Sequence, residues 1–175
     1  MTRKISNFIL FQAAWFAAVL GAAKGMPWLG PLAMVPVLGV HLALAENRSG
    51  ELKLLVGAGI LGFLFDTTLV AAGVFMPVTY LLPRPFSPPW MVALWLNFAA
   101  TLNVSLAWLR GHYASAAAFG AVGGPLAYYS GAKMGATEVL PSQGGLLVLA
   151  IGWGVMTPVL VWLARAFTGE KKTSE

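Results

Sequence analysis

The sequence predicts an all-α membrane bundle of six transmembrane helices with both termini cytoplasmic. Three observations carry that expectation. Of the 175 residues 58% are hydrophobic and 10% charged, against roughly 25% charged in an ordinary soluble domain. Several stretches stay apolar for about 20 residues, the length that crosses a hydrocarbon core of roughly 30 Å at 1.5 Å per residue. With both termini cytoplasmic, that side holds Arg3, Lys4, Arg48, Lys53, Arg110, Arg165, Lys171 and Lys172, eight of the eleven basic residues. The far side holds Lys24, Arg84 and Lys133, a positive-inside bias. The net charge of +5 thus suits anionic lipid headgroups as partners and gives no reason to invoke nucleic acid.

The first span, Ile5 to Ala23, follows the basic Arg3-Lys4. Asn7 and Gln12 interrupt it and it exceeds the usual 7–15 apolar residues of a signal peptide, so it is expected to stay. Lys24-Gly25-Met26-Pro27 turns the chain into the second span, Pro27 to Ala45. Glu46 to Glu51 makes the next turn and Leu54 to Phe75 the third span. Pro83-Arg84-Pro85-Phe86-Ser87-Pro88-Pro89 is a stiff connector, or a cap over one mouth of the bundle. The fourth span is expected as one helix from Pro88 to Leu109, the fifth from Tyr113 to Gly131 and the sixth from Gly144 to Ala166. Residues 1–167 read as a single domain and 168–175 as a polar cytoplasmic tail. Trp28, Tyr80, Trp90, Trp108, Tyr113 and Trp162 fall near span ends, where they are expected to anchor the bundle at the interface.

Several chemistries are set aside. The chain has no Cys, so neither a disulfide nor a thiolate site is open to it. Gly57-Ala58-Gly59-Ile60-Leu61-Gly62 matches the dinucleotide fingerprint but lies inside an apolar helix without a preceding strand. Its small residues, like Gly120 with Gly124 and the ladder Ala14, Ala18, Ala22, suit close helix approach, to this chain's own helices, a second copy or a partner membrane protein. His41 and His112 lack a paired acid at helical spacing, so no metal site or other cofactor is expected, and His41 reads as a hydrogen-bonded packing residue.

Asp66 is the feature to explain. It is the one charged residue between Leu54 and Phe75, and a charge at the bilayer centre costs about 2.5–3.5 kcal/mol on insertion scales. Such a residue normally faces a cavity, a partner or a ligand. Counted from the span ends, Asn97 lies at nearly the same depth and is placed to meet it. Asn97, Thr101, Ser105 and Trp108 follow the rhythm of one helix face, while Asn103 points elsewhere, toward the first span. Asn7, Gln12 and Trp15 add polar and aromatic groups on the first span, and Gly123-Gly124-Pro125 is expected to bend the fifth. Two readings stand side by side: interhelical hydrogen bonds that hold the bundle together, or a ligand site centred on the carboxyl.

Larger motifs add a family likeness. Asn7-Phe8 with Phe11-Gln12, Trp15-Phe16 and Val19-Leu20-Gly21-Ala22 form the first motif; Leu94-Trp95 with Thr101-Leu102-Asn103 and Trp108-Leu109 form the second. The third is Phe119-Gly120 leading to Gly124-Pro125-Leu126-Ala127-Tyr128 and Gly131. Together they resemble a family of small bacterial inner-membrane proteins catalogued as domain of unknown function 2878. The resemblance covers nearly the whole chain. It implies a multi-pass protein of the bacterial inner membrane and, as a candidate functional set, Asn7, Gln12, Trp15, Asp66, Trp95, Thr101, Asn103 and Pro125. It carries no chemistry of its own.

Three functions are compatible with these residues. The first is binding, or helping to transport, a small molecule or lipid held between helices by Asp66, Asn97, Thr101 and Asn103, with Asn7 and Gln12 nearby and Trp95 or Trp15 to stack on. The second is a scaffold or assembly factor acting through small-residue faces. The third is an intramembrane enzyme acting on lipid or isoprenoid tails with Asp66 as general acid or base. Binding is preferred, because a single carboxylate with neither metal nor second acid is thin support for catalysis.

Overall fold

The computed structural model describes residues 1–138 and 140–169. They form six helices: α1 Thr2–Ala23, α2 Leu29–Ala43, α3 Arg48–Ala71, α4 Pro89–Ala99, α5 Tyr113–Lys133 and α6 Gln143–Thr168. Three of them, α1, α3 and α6, are long and apolar enough to cross a membrane, while α2 and α4 are shorter apolar helices. Outward-facing positions carry Leu32, Val35, Ile60, Val122, Ile151 and Val155, whereas His41, Glu51, Asp66, Asn97, Thr101 and Thr157 are buried. That arrangement suits a hydrocarbon solvent, in which the polar groups must find partners inside. The tail expected from residue 168 lies outside the described residues from 170 onward, as do Lys171 and Lys172; Thr168 itself closes α6.

Local chemistry sets the helix ends. Asn47 caps α3 by accepting the Gly50 N–H at 2.9 Å, and Ser142 caps α6 by accepting that of Gly145 at 3.0 Å. Pro36, Pro125 and Pro158 all lie within helices, and α5 runs on through Gly123-Gly124-Pro125. The start of α1 and the end of α6 lie at one end of the bundle. There Arg3 donates to the Leu44 carbonyl at 3.0 Å, Asn47 to that of Phe167 at 3.3 Å, and Arg110 to that of Gly169. At the opposite end two loops meet: Val78 N–H donates to Ala136 O at 3.1 Å and Glu138 N–H to Met76 O at 2.8 Å. Arg84 pairs with Glu138 there. The proline-rich connector folds back on α3, Phe86 stacking on Phe63 with ring centres 6.1 Å apart and Ser87 N–H donating to Thr67 Oγ1 at 3.1 Å.

The fourth helix is shorter than its hydropathy predicts. It ends at Ala99, and residues 100–106 run as successive turns before a short 3-10 turn at Ala107–Leu109. Backbone bonds tighten there to a three-residue reach, as in Thr101 N–H to Phe98 O at 3.0 Å and Leu102 N–H to Ala99 O at 3.1 Å. Thr101 Oγ1 also donates to Phe98 O at 2.6 Å, the competition with the backbone by which hydroxyl residues weaken a helix. Asn7 on α1 satisfies what the unwinding frees. Its amide donates to Ala100 O at 3.1 Å and accepts from Ser105 Oγ at 2.7 Å and Ser105 N–H at 3.3 Å. Thr101, Ser105 and Trp108 therefore do not continue the face that Asn97 begins.

The helices form an open ring. Central α4 packs on α1, α2 and α3, and α3 packs in turn on α6, which pairs closely with α5. Small residues permit the close approaches. A Cβ on Gly30 would lie 2.7 Å from Ala18 Cβ, and one on Gly62 would fall within the Trp95 ring. Ala14, Ala18 and Ala22 are all buried within the chain's own bundle, and Gly120 and Gly124 face Thr157 and Trp153 of α6. The expected small-residue faces thus serve internal packing. α1 and α5 are the free ends of the ring. They come together near the loop end, where a Cβ on Gly131 would lie 3.8 Å from Val19 and one on Gly135 3.7 Å from Ala23.

Candidate functional site

A cavity of about 550 Å3 lies between α1 and α5, backed by α3, α4 and α6. That is within the roughly 300–1,000 Å3 of small-molecule sites. Its walls are mainly aromatic, with Phe11, Trp15, Trp90, Trp95, Tyr128 and Trp153 among them. Trp95 and Trp153 stack with centroids 4.5 Å apart and planes 14° from parallel. Phe65, Phe98 and Tyr128 meet this pair edge-on. Such offset and edge contacts place the positive rim of one ring against the negative face of another and hold the wall rigid.

Asp66 sits within this wall, with 0% of its surface exposed. Trp95 Nε1 donates to its Oδ2 at 2.8 Å, and the Tyr128 hydroxyl donates to its Oδ1. Three helices are thereby tied through one side chain: α3 supplies the carboxyl, α4 the indole and α5 the phenol. The space for that junction is made by glycines. Gly62, one turn before Asp66 on α3, leaves room for the Trp95 ring, and Gly124, one turn before Tyr128 on α5, leaves room for Trp153.

The sequence-derived residues divide into two groups. Gln12, Trp15, Asp66, Trp95 and Thr101 all line the cavity. Asn7, Asn97 and Asn103 serve the frame. Asn7 supports the unwound segment, and Asn97 donates to Phe11 O of α1 at 2.9 Å, so Asp66 and Asn97 are not the pair their common depth suggests. Asn103 turns toward α3 and not α1, donating to Glu51 Oε1 at 3.0 Å, while His41 Nε2 lies 3.0 Å from Glu51 Oε2. That makes a second buried polar chain near the terminal end, and it confirms His41 as a hydrogen-bonded packing residue.

Four cavity residues escape a reading of the sequence alone: Tyr128, Trp153, Thr157 and Trp90. Trp90 is 2% exposed and so is no interface anchor, whereas Trp28, Trp108 and Trp162 are exposed as expected. The usable signal for Trp153 and Thr157 is their four-residue spacing on α6, which matches that of Gly120 and Gly124 on α5: large residues opposite small ones. Among the described residues no group of three or more His, Asp or Glu side chains is placed to hold a metal ion.

No curated protein and no solved structure matches the chain. A family model, Protein of unknown function (DUF2878), matches residues 4–159, from the start of α1 into the second half of α6. The match takes in every helix that lines the cavity, and the chain belongs to the DUF2878 family.

Proposed function

We propose that the protein crosses the bacterial inner membrane six times, with both termini in the cytoplasm, and binds or helps transport a small molecule or lipid in the cavity beside Asp66. The observation that carries this reading is the coincidence of an aromatic-walled space of about 550 Å3 with a buried carboxyl at its wall. Interhelical glue alone needs no space beside it, whereas binding sites combine apolar walls with a few fixed polar groups. The orientation is supported by Arg3, Arg48 and Arg110, whose guanidinium groups bond backbone carbonyls at the end where α1 begins and α6 ends.

Native mass spectrometry of gently extracted protein tests the proposal, wild type beside Asp66→Asn. The expected result is an adduct of defined mass on the wild type that is weakened in the variant. Bare protein in both preparations would remove the binding role and favour a scaffold.

A further inference from the structure

We infer that the ligand is an uncharged lipid dissolved in the membrane, whose head accepts hydrogen bonds and which is taken in sideways between α1 and α5. The inference rests on the binding role proposed above and narrows it to a ligand class.

The mouth supplies the direction of access. Phe8 and Phe16 on α1, and Phe119 and Leu126 on α5, line the cavity and are also exposed on the outer surface of the bundle. The two helices close on each other near Val19–Gly131 and Ala23–Gly135. The gap is thus bordered by apolar side chains on a face that itself suits hydrocarbon. A hydrocarbon chain lying across it keeps an apolar environment throughout its passage, whereas a solute from water would have to cross that belt first.

The donors supply the head. Trp90 and Thr157 belong to the cavity lining, and Trp90 Nε1 and Thr157 Oγ1 are buried with no hydrogen-bond partner among the described residues. An indole N–H can only donate. Buried donors left unpaired are uncommon and costly, so each is a place where a ligand acceptor gains more than it would in water. Thr157 stands in the second half of α6 and Trp90 opens α4 near the loop end, so the two donors offer an acceptor head separate places along the cavity.

Charge narrows the class further. The lining contains no Lys, Arg or His, so an anionic head meets no counter-charge. A cation would find ring faces but no free carboxylate, since both Asp66 oxygens already accept hydrogen bonds and no part of the side chain is exposed. Asp66 is in this reading a positioning residue that fixes Trp95 and Tyr128 in the wall.

The test uses three probes with one hydrocarbon chain and different heads: methyl oleate, neutral with two acceptor oxygens; oleate, anionic; and oleyltrimethylammonium, cationic. Each is titrated onto purified protein in detergent and followed by native mass spectrometry. Methyl oleate is expected to bind at least about ten-fold more tightly than either charged probe, and at least one of Thr157→Val and Trp90→Phe is expected to weaken it by about three- to ten-fold. Gly123→Leu, whose Cβ would meet nothing within 4 Å on a cavity-lining turn, is expected to block all probes without lowering Tm. A charged probe that matches methyl oleate, or unchanged affinity in both donor variants, would overturn the inference. So would binding of none of the three; in that case a native adduct of other chemistry leaves the binding role standing, and bare native protein removes both.

Discussion

Gly123 and Gly124 are neighbours on α5, yet replacing each with Ala should have opposite effects. Both substitutions gain the same intrinsic helix preference, about 0.8–1 kcal/mol over Gly, so that contribution cancels when the two variants are compared. What remains is space. A Cβ at Gly123 meets nothing within 4 Å, whereas one at Gly124 collides with Trp153 Cβ, Cγ and Cδ1. A shift of Trp153 breaks its packing, because Trp95 stacks on it at 4.5 Å and Phe98, Tyr128 and Phe65 lie against it at centroid distances of 5.6, 6.3 and 6.3 Å. Overpacking costs about 1–3 kcal/mol, and loss of a good aromatic pair about 0.5–1.5 kcal/mol. Gly124→Ala should therefore be less stable than Gly123→Ala by about 1.5–4.5 kcal/mol. At about 2–4 °C per kcal/mol for a chain of this size, the two melting points should differ by roughly 3–18 °C, with Gly123→Ala at or above wild type. Thermal unfolding in detergent, followed by tryptophan fluorescence, measures both. Melting points within about 2 °C of each other would refute the close α5–α6 contact and the pinned Trp153 on which the site rests.

Three further outcomes follow from named bonds. Asp66→Ala leaves Trp95 Nε1 and the Tyr128 hydroxyl without their acceptor and should cost about 2–5 kcal/mol; Asp66→Asn keeps an acceptor for Trp95 and should cost less than half as much, by the same melting assay. Asn7→Ala removes the amide bonded to Ala100 O and to Ser105 and should cost about 2–4 kcal/mol. Its hydrogen exchange should rise first at residues 100–106, and uniform exchange along α4 would contradict the bracing role. Glu51→Ala strips the common partner of His41 and Asn103 and should lower stability by about 2–4 kcal/mol, whereas an unchanged Tm would mean that this buried chain is not formed.

The sequence made some of this legible because the relevant physics is local. Asp66 in its apolar run, the glycines of α3 and α5, and the turn at Lys24 to Pro27 can each be read within a few residues, whereas of the turn expected over Glu46 to Glu51 only Glu46 and Asn47 lie outside α3. The premature end of α4 cannot, since hydropathy averages over Ala100 to Leu109 and stays apolar. What ends the helix is Thr101 bonding Phe98 O together with an amide 93 positions away in the chain, Asn7, that takes up Ala100 O. Asp66 and Asn97 share a depth, but depth says nothing of azimuth. Asn97 looks toward α1 while Trp95, two residues earlier, looks toward α3. Tyr128, Trp153 and Trp90 resemble ordinary apolar-helix aromatics until the packing places them around one cavity.

The division of labour among the polar residues bears on which of them specify function. Asn7, Asn97, Asn103, Glu51 and His41 are spent on one another and on backbone, at positions where α1, α2, α3 and α4 meet. They hold the half of the open ring that must stay fixed. The other half, the α5–α6 pair, is joined by packing of α6 on α3, by bonds at both ends of the bundle and, in the interior, by Tyr128 of α5 reaching Asp66 of α3. An α1–α5 gap that admits a ligand must widen by moving one of its two sides, and α1 is the side fastened by Asn7 and by Asn97. Movement therefore falls to α5, and the bond it strains is Tyr128 to Asp66. On this argument the carboxyl would do more than line a wall: through Tyr128 it would hold α5 against α3 on the side of the cavity that has to give way.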